Sequence, residues 1–401
     1  MDNAVKRLFA DIRELTPQIA ARAAEIEAAR RVPIDIVEAL RSIGLFRMLV
    51  PRSHGGLELD LATATEAIAA LARADGSLGW TAMIAAGGAL FTPLAPRETY
   101  DEIYRDGPDV IFAGAVQPTG TAEATANGWR VSGRWAFASG CRQADWMLGF
   151  CVMTENGKPL PGPAGAAGPP LLKACLLPAR DWEIEDTWHV AGLKGTGSHH
   201  ISLRDKLVPA ARFLDLVGGT PCVAGPLYGG VPSLLPLLHG AFGIGMAEGA
   251  LADLVAHANT GRQQFRAAAP MRESEFFQAE LGRIEAEVRA ARALLQMQVA
   301  SHWRDALAGT LNSEALQIQA AQSAAWIAAA AVRVTDGCFT LAGASAIYDS
   351  SPLQRRLRDM HTAAQHFVAQ PRQFIGAGRQ LLQAAAGGPG AGYPGRFAAS
   401  E

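Results

Sequence analysis

Arg358-Asp359-Met360-His361-Thr362-Ala363-Ala364-Gln365-His366 sets a charged pair ahead of two imidazoles. It lies just behind Ser351-Pro352-Leu353, which reads as a loop entering a helix, with Pro at a first-turn position. His361 and His366 are five residues apart, so on a helix they face different sides. What this stretch means depends on the texture of the chain around it.

Upstream, from about Val231 to Gln383, the pattern is helical and the helices are long. Phe277, Leu281, Ile284, Val288, Ala291 and Leu295 step by four and three, flanked by the i,i+4 pair Glu285 and Arg289. Residues 313–334 are so rich in Ala that they must pack closely on neighbours. Between about 110 and 216 the period changes. Trp129-Arg130-Val131-Ser132-Gly133-Arg134-Trp135-Ala136-Phe137 alternates, and Asn127-Gly128 is a strong hairpin signal. The Gly/Pro-rich stretch 157–170 (GKPLPGPAGAAGPP) reads as a surface loop. Before about residue 106 helices return: 35–43 behind Pro33, 60–73, and 77–90, the last apolar on nearly every side and therefore buried. The reading is an N-terminal α-helical domain (1–108), a middle antiparallel, barrel-like β domain (109–216), a C-terminal four-helix bundle (217–386) and a frayed tail (387–401).

Composition limits the function. With 49% hydrophobic and 18% charged residues the chain can bury a large core. A net charge of −2, without blocks of like charge, argues against nucleic acid or an anionic membrane as partner. No run approaches 18 consecutive apolar residues, and the N-terminus lacks the apolar stretch of a signal peptide. Five dispersed cysteines without a C-x-x-C pair suit reduced thiols in the cytoplasm. His199-His200 has no companions at metal spacing, so no metal site is expected.

Four segments, in order, carry a resemblance to the acyl-CoA dehydrogenase superfamily over nearly the whole chain. They are Asp75-Gly76-Ser77-Leu78-Gly79-Trp80; Gly133-Arg134-Trp135-Ala136-Phe137-Ala138-Ser139-Gly140; residues 188–198 (WHVAGLKGTGS); and residues 351–359 (SPLQRRLRD) with His361 and His366. Within it the chain looks closest to the oxygenase components of two-component, group D flavin-dependent monooxygenases. The resemblance implies a homotetramer that takes reduced FMN or FAD from a separate NAD(P)H flavin reductase. It would bind O2 and, through a C4a-hydroperoxyflavin, oxygenate an aromatic or other bulky apolar small molecule.

The alternative is an FAD-dependent acyl-CoA dehydrogenase-like oxidoreductase. That chemistry needs a carboxylate base within reach of the carbon α to a thioester. In the family this Glu stands roughly eight residues after the Arg-Asp pair, where this chain has Gln365, His366 and Phe367. Some members place it at the entry of the first bundle helix, but residues 233–240 (SLLPLLHG) hold no carboxylate either. Oxygenation is therefore favoured over dehydrogenation.

The resemblance then assigns residues. Ser139 would hold the N5 proton of the flavin, and His366, with a pKa near neutrality, would move a proton. Gln117, Thr119, Phe137, Ser139, Gly140, Thr196 and Ser198 would contact the flavin, with Arg262 at the phosphate of a neighbouring subunit. Trp80, Met83, Gly87, Phe91 and His361 would line the substrate. Arg358 and Asp359 are read as structural, an ion pair or helix cap. Gly343-Ala344-Ser345-Ala346-Ile347-Tyr348 departs from the family's Gly-Gly turn near the adenine, which leaves FMN and FAD equally open. The helix 80–91 has no ionisable group, so nothing on it would activate a phenol.

Overall fold

A computed structural model of the chain describes residues 3–216, 218–261, 263, 267 and 269–386. The tail 387–401 and Arg262 lie outside the described residues. Six helices come first: α1 (Asn3–Ala21), α2 (Ala23–Ala29), α3 (Ile34–Ser42), α4 (Leu61–Ala74), α5 (Gly76–Phe91) and α6 (Arg97–Ile103). Aspartates start the two that matter most. Asp60 accepts from Thr63 N ahead of α4, and Asp75 from Leu78 N ahead of α5, each such cap contributing about 1 kcal/mol. Fifteen of the sixteen α5 residues are buried, as the lack of a polar face predicts.

Ten strands follow: β1 (Phe112–Thr125), β2 (Gly128–Ala138), β3 (Trp146–Glu155), β4 (Lys158–Pro159), β5 (Pro161–Gly162), β6 (Gly165–Pro170), β7 (Leu172–Pro178), β8 (Glu183–Glu185), β9 (His199–Val208) and β10 (Phe213–Leu214). The main sheet runs β10-β7-β3-β1-β2-β9-β8, with β4 added on β3. Every pairing in it is antiparallel except β1 with β3, which is parallel. The β1–β2 hairpin forms around the Asn-Gly signal, with Thr125 opposite Gly128. Residues 157–170 are more ordered than a loop: β4 continues the sheet and β5 pairs with β6. The glycines there let the chain fold back on itself, at Gly165 with a φ of +78°.

The C-terminal region holds three long helices, α7 (Val231–Ala258), α8 (Glu275–Ala308) and α9 (Glu314–Ala342), then the shorter α10 (Pro352–Ala363) and α11 (Ile375–Ala386). The α8 stripe forms as expected, Phe277, Ile284, Val288, Ala291 and Leu295 all being buried. Small residues let α9 lie close on α7: the nearest neighbours of a Cβ added at Gly243 would be Ile327 and Ala331. The helices before and after the sheet share one hydrophobic core, and the sheet has a second. The expectation about long apolar runs needs correction. By length and composition the segment Gly76–Leu94 (α5 and the turn after it), α7 and the segment beginning at α9 are apolar enough to cross a membrane. Their apolar windows are 89%, 78% and 39% buried within the protein. The first two are core helices; the third buries one face, with Ile327, Ala331 and Val334, against α7 and α8 and leaves other residues half-buried.

Candidate active site

Strand β2 places the centre of the site. Its alternation buries Val131 and Trp135, so Phe137 is due to point inward as well. It does not. The register of β2 with β9 shifts between Trp135 and Ala138, Phe137 takes a φ of +68°, and its ring is 63% exposed. A bulge of this kind re-aims a side chain, and a left-handed bulky residue is a strain that surroundings must hold in place. The Phe137 ring stands edge-on to Trp188 and His200, at centroid distances of 6.2 and 6.5 Å. A second irregularity, at Val116 to Thr119 of β1, lies beside it. Those four residues are exposed, and the Thr119 hydroxyl donates to the Arg134 carbonyl at 2.8 Å. Gln117 and Thr119 thus sit near the end of β2, with the Thr119 hydroxyl already committed.

Just past Phe137, Ser139 is buried at the head of a chain of hydroxyls. The Thr196 hydroxyl donates to the Leu193 carbonyl at 2.8 Å and lies 2.6 Å from the Ser198 hydroxyl. Ser198 in turn lies 2.7 Å from Ser139. The carbonyl accepts only, which fixes the direction: Ser139 donates to Ser198, Ser198 to Thr196, and Thr196 to the carbonyl. Trp80 Nε1 donates to the Ser139 oxygen at 3.0 Å. That oxygen keeps one lone pair for another donor. Gly140, at φ +75°, closes the turn, its N–H donating to the Thr196 carbonyl at 2.8 Å. A Cβ at Gly140 would meet only Thr81, at 3.2 Å. An exposed aromatic face, a buried oxygen ready to accept an N–H, and a turn without a side chain fit the edge of a flat heteroaromatic ring carrying an N–H.

The loop bearing Thr196 and Ser198 is strapped to α10. Asp359 accepts from Leu193 N at 2.5 Å; Arg358 pairs with Glu27 at 2.5 Å and donates to the Ala191 carbonyl at 2.6 Å. Gly192 is obligatory here, since a Cβ would lie 2.1 Å from the Arg358 carbonyl oxygen. Asp359 also neighbours Asp75. Burial, then the Asp75 charge, push the Asp359 carboxyl up to about 7. Arg358 makes an ion pair as expected, while among the described residues Asp359 is neither paired nor a helix cap but anchors the loop through Leu193 N.

Beyond Trp80 stand two imidazoles. His366 caps a short turn, its Nδ1 accepting from Val368 N at 3.5 Å, and meets the Trp80 ring edge-on at 5.4 Å. His239 of α7 stacks on it, with centroids 4.6 Å apart and planes at 17°. The two segments in which a dehydrogenase would carry its carboxylate therefore converge, and each contributes an imidazole. Neither matches the near-neutral pKa expected of His366. Burial pushes His366 down to about 2, assisted by the neighbouring His239, and burial alone brings His239 to about 4. Both are neutral at physiological pH.

The other expected substrate residues divide. Trp80 is central. Met83 is fully buried in the core, Gly87 packs towards Leu235 of α7, and Phe91 is 8% exposed at the far end of α5. His361 does not join the cluster: it pairs with Asp336 at 2.8 Å on an exposed surface, because α10 ends at Ala363 and the chain turns before reaching His366. His239 is the residue that sequence reasoning passed over. Its segment, SLLPLLHG, offers no carboxylate, and the imidazole is the titratable group in that stretch. Among the described residues no three His, Cys, Asp or Glu side chains gather to hold a metal.

Comparison with known proteins places these features in a family. The family Acyl-CoA dehydrogenase, N-terminal domain, matches residues 6–95, and Acyl-CoA dehydrogenase, C-terminal domain, matches 237–371. Indole-3-acetate monooxygenase of Pseudomonas putida is 32% identical over 364 residues, 90% of each chain. The FADH(2)-dependent resorcinol hydroxylase, oxygenase component, of a Rhizobium species is 36% identical over 264 residues, 63% of this chain and 61% of the other. The crystal structure of the HsaA monooxygenase from M. tuberculosis superposes with a TM-score of 0.85 at 28% identity, covering 94% of this chain and 97% of that one.

Proposed function

From the premise that the chain belongs to the acyl-CoA dehydrogenase family, among its flavin-dependent monooxygenase oxygenase components, we propose that it oxygenates a neutral aromatic or similarly bulky apolar small molecule. It draws reduced flavin from a separate reductase and uses O2. When bound, the flavin supplies the electrons and the oxygen-transfer chemistry; the chain supplies placement and protons. The observation that carries the reading is the pair His239 and His366, neutral and stacked where a dehydrogenase holds its carboxylate. An imidazole with so low a pKa is a poor base for a carbon acid.

The residues divide the work. The Ser139 oxygen, locked by Trp80 and Ser198, accepts the N5–H of reduced flavin. Phe137 and Gly140 border the ring, with Gln117 and Thr119 beside them. His366, whose Nδ1 accepts a backbone bond, presents its proton on Nε2 as a neutral donor. Trp80, with its ring against both imidazoles, forms the wall between flavin and substrate. Either FMN or FAD serves, since nothing in 343–348 repeats the paired glycines that seat an adenine in the dehydrogenases. The working unit is a homotetramer in the cytoplasm, in keeping with five unpaired cysteines and with the exposed Trp326, Ile347 and Tyr348 on and after α9.

Anaerobic titration with reduced and oxidised FMN and FAD tests the reading. Reduced flavin is expected to bind at least about ten-fold tighter than oxidised, a difference of roughly 1.4 kcal/mol. Tight oxidised FAD that bleaches on adding an acyl-CoA, without reductase, would instead establish the dehydrogenase.

A further inference from the structure

We propose that His239 is a substrate-orienting residue, its Nε2 accepting the ring N–H or O–H of a neutral aromatic substrate. The proposal rests on the oxygenase reading above and adds to it the polarity of the substrate. His239 Nδ1 lies 3.0 Å from the Leu235 carbonyl oxygen. A carbonyl only accepts, so Nδ1 carries the proton and Nε2 of the neutral ring is left with a bare lone pair. That Nε2 is buried and has no hydrogen-bond partner. An unpaired buried acceptor costs about 1–3 kcal/mol, and it is a cost that a bound donor removes.

The ring cannot swing away to find another partner. It is held flat against His366, and the edge of Trp80 closes on it at 5.5 Å. Thr81 of α5 does not compete for it, since its hydroxyl donates to the Ser77 carbonyl. Within this cluster the unmet demand is therefore for a donor, and it comes from α7 rather than from the polar-poor helix α5. His366, stacked alongside, offers the complementary N–H. A phenolic hydroxyl would satisfy both rings, donating to His239 and accepting from His366; an indole N–H would satisfy His239 alone. An anion would meet one donor and one bare acceptor, so the pair selects protic, uncharged rings.

The test compares protic probes with their methylated forms by titration calorimetry on the full chain with saturating reduced FMN under anaerobic conditions. The probes are indole against 1-methylindole and phenol against anisole. Wild type is expected to prefer the protic member of at least one pair by about ten-fold, the worth of one hydrogen bond to a buried acceptor. His239→Phe keeps a stacking ring without an acceptor and should bind both members equally. His239→Gln, whose amide oxygen accepts, should recover part of the preference. If His239 only fills space, all variants change stability together and the ratio stays put. Equal binding of each pair by wild type overturns the proposal, as does a preference that survives in His239→Phe or failure of all four probes to bind flavin-loaded wild type. Wild type that binds no reduced flavin sinks the oxygenase reading itself, which keeps the two failures apart.

Discussion

Ser139 shows how little the identity of a residue says about its chemistry until its hydrogen bonds are directed. A serine at a strand end before a glycine is commonplace. Here the Leu193 carbonyl, three hydroxyls away, forces every proton in the chain to point outward from Ser139, so the oxygen acts as an acceptor. Replacing it with alanine removes that acceptor and leaves the Trp80 N–H buried and unpaired, at a cost of about 1–3 kcal/mol. Ser139→Ala is accordingly expected to lower thermal stability by a few degrees. With reductase and substrate present it should divert oxygen consumption towards hydrogen peroxide, with product falling by about 10-fold or more. Simultaneous assay of peroxide and product decides it: unchanged coupling would remove Ser139 from the chemistry. The serine was legible in the sequence. Its polarity was not, because that is set by Thr196, Ser198 and a backbone oxygen on another segment.

At the scale of elements, the bulge in β2 and the strap from α10 shape the site, and both depend on cross-chain register. Alternation in 129–137 announced a strand but assigned Phe137 to the same face as Trp135; only the slip against β9 turns it out. The strap joins two motifs that the sequence presented separately, 188–198 and 358–359. It also carries a pH signature. The Asp359 carboxyl, held near 7 in the fold, titrates near 3.8 when exposed. A raised carboxyl contributes stability that is fully present below the unfolded value and is lost as pH rises through the folded one. Between pH 4 and 7 wild type therefore loses up to roughly 1.4 kcal/mol per pH unit from this group. Asp359→Asn retains an oxygen for Leu193 N but has no proton to lose. Denaturant midpoints measured from pH 4 to 8 should show the variant gaining on wild type as pH rises and levelling off above 7. Parallel profiles would mean that the carboxyl is already ionised throughout.

For the molecule as a whole, the order helices, sheet, helices was readable from period alone, because a large core makes 3.6- and 2-residue repeats strong. What period does not report is which helices share a core. The α10 helix packs on α7 and the short turn after it on α9, and this brings His239 and His366 together across a long sequence separation. Nor does it report what remains uncovered. The apolar window beginning at α9 is 39% buried, Ile347 and Tyr348 are 64% and 63% exposed, and Leu382 on α11 is 75% exposed. Apolar side chains left exposed along α9 and just after it, Trp326, Ile347 and Tyr348, make a candidate contact surface. The tetramer proposed above would place a second copy of the chain there. Light scattering at micromolar concentration should give about four times the 42.2 kDa chain mass. Trp326→Glu, at a residue of α9 that is 36% exposed, should shift the protein to smaller species if its ring is covered in the assembly, since a charge buried in an apolar interface without a partner costs several kcal/mol. A monomer in wild type, binding reduced flavin as tightly as the family reading requires, would show that one chain makes a complete site and that the open helices meet another partner.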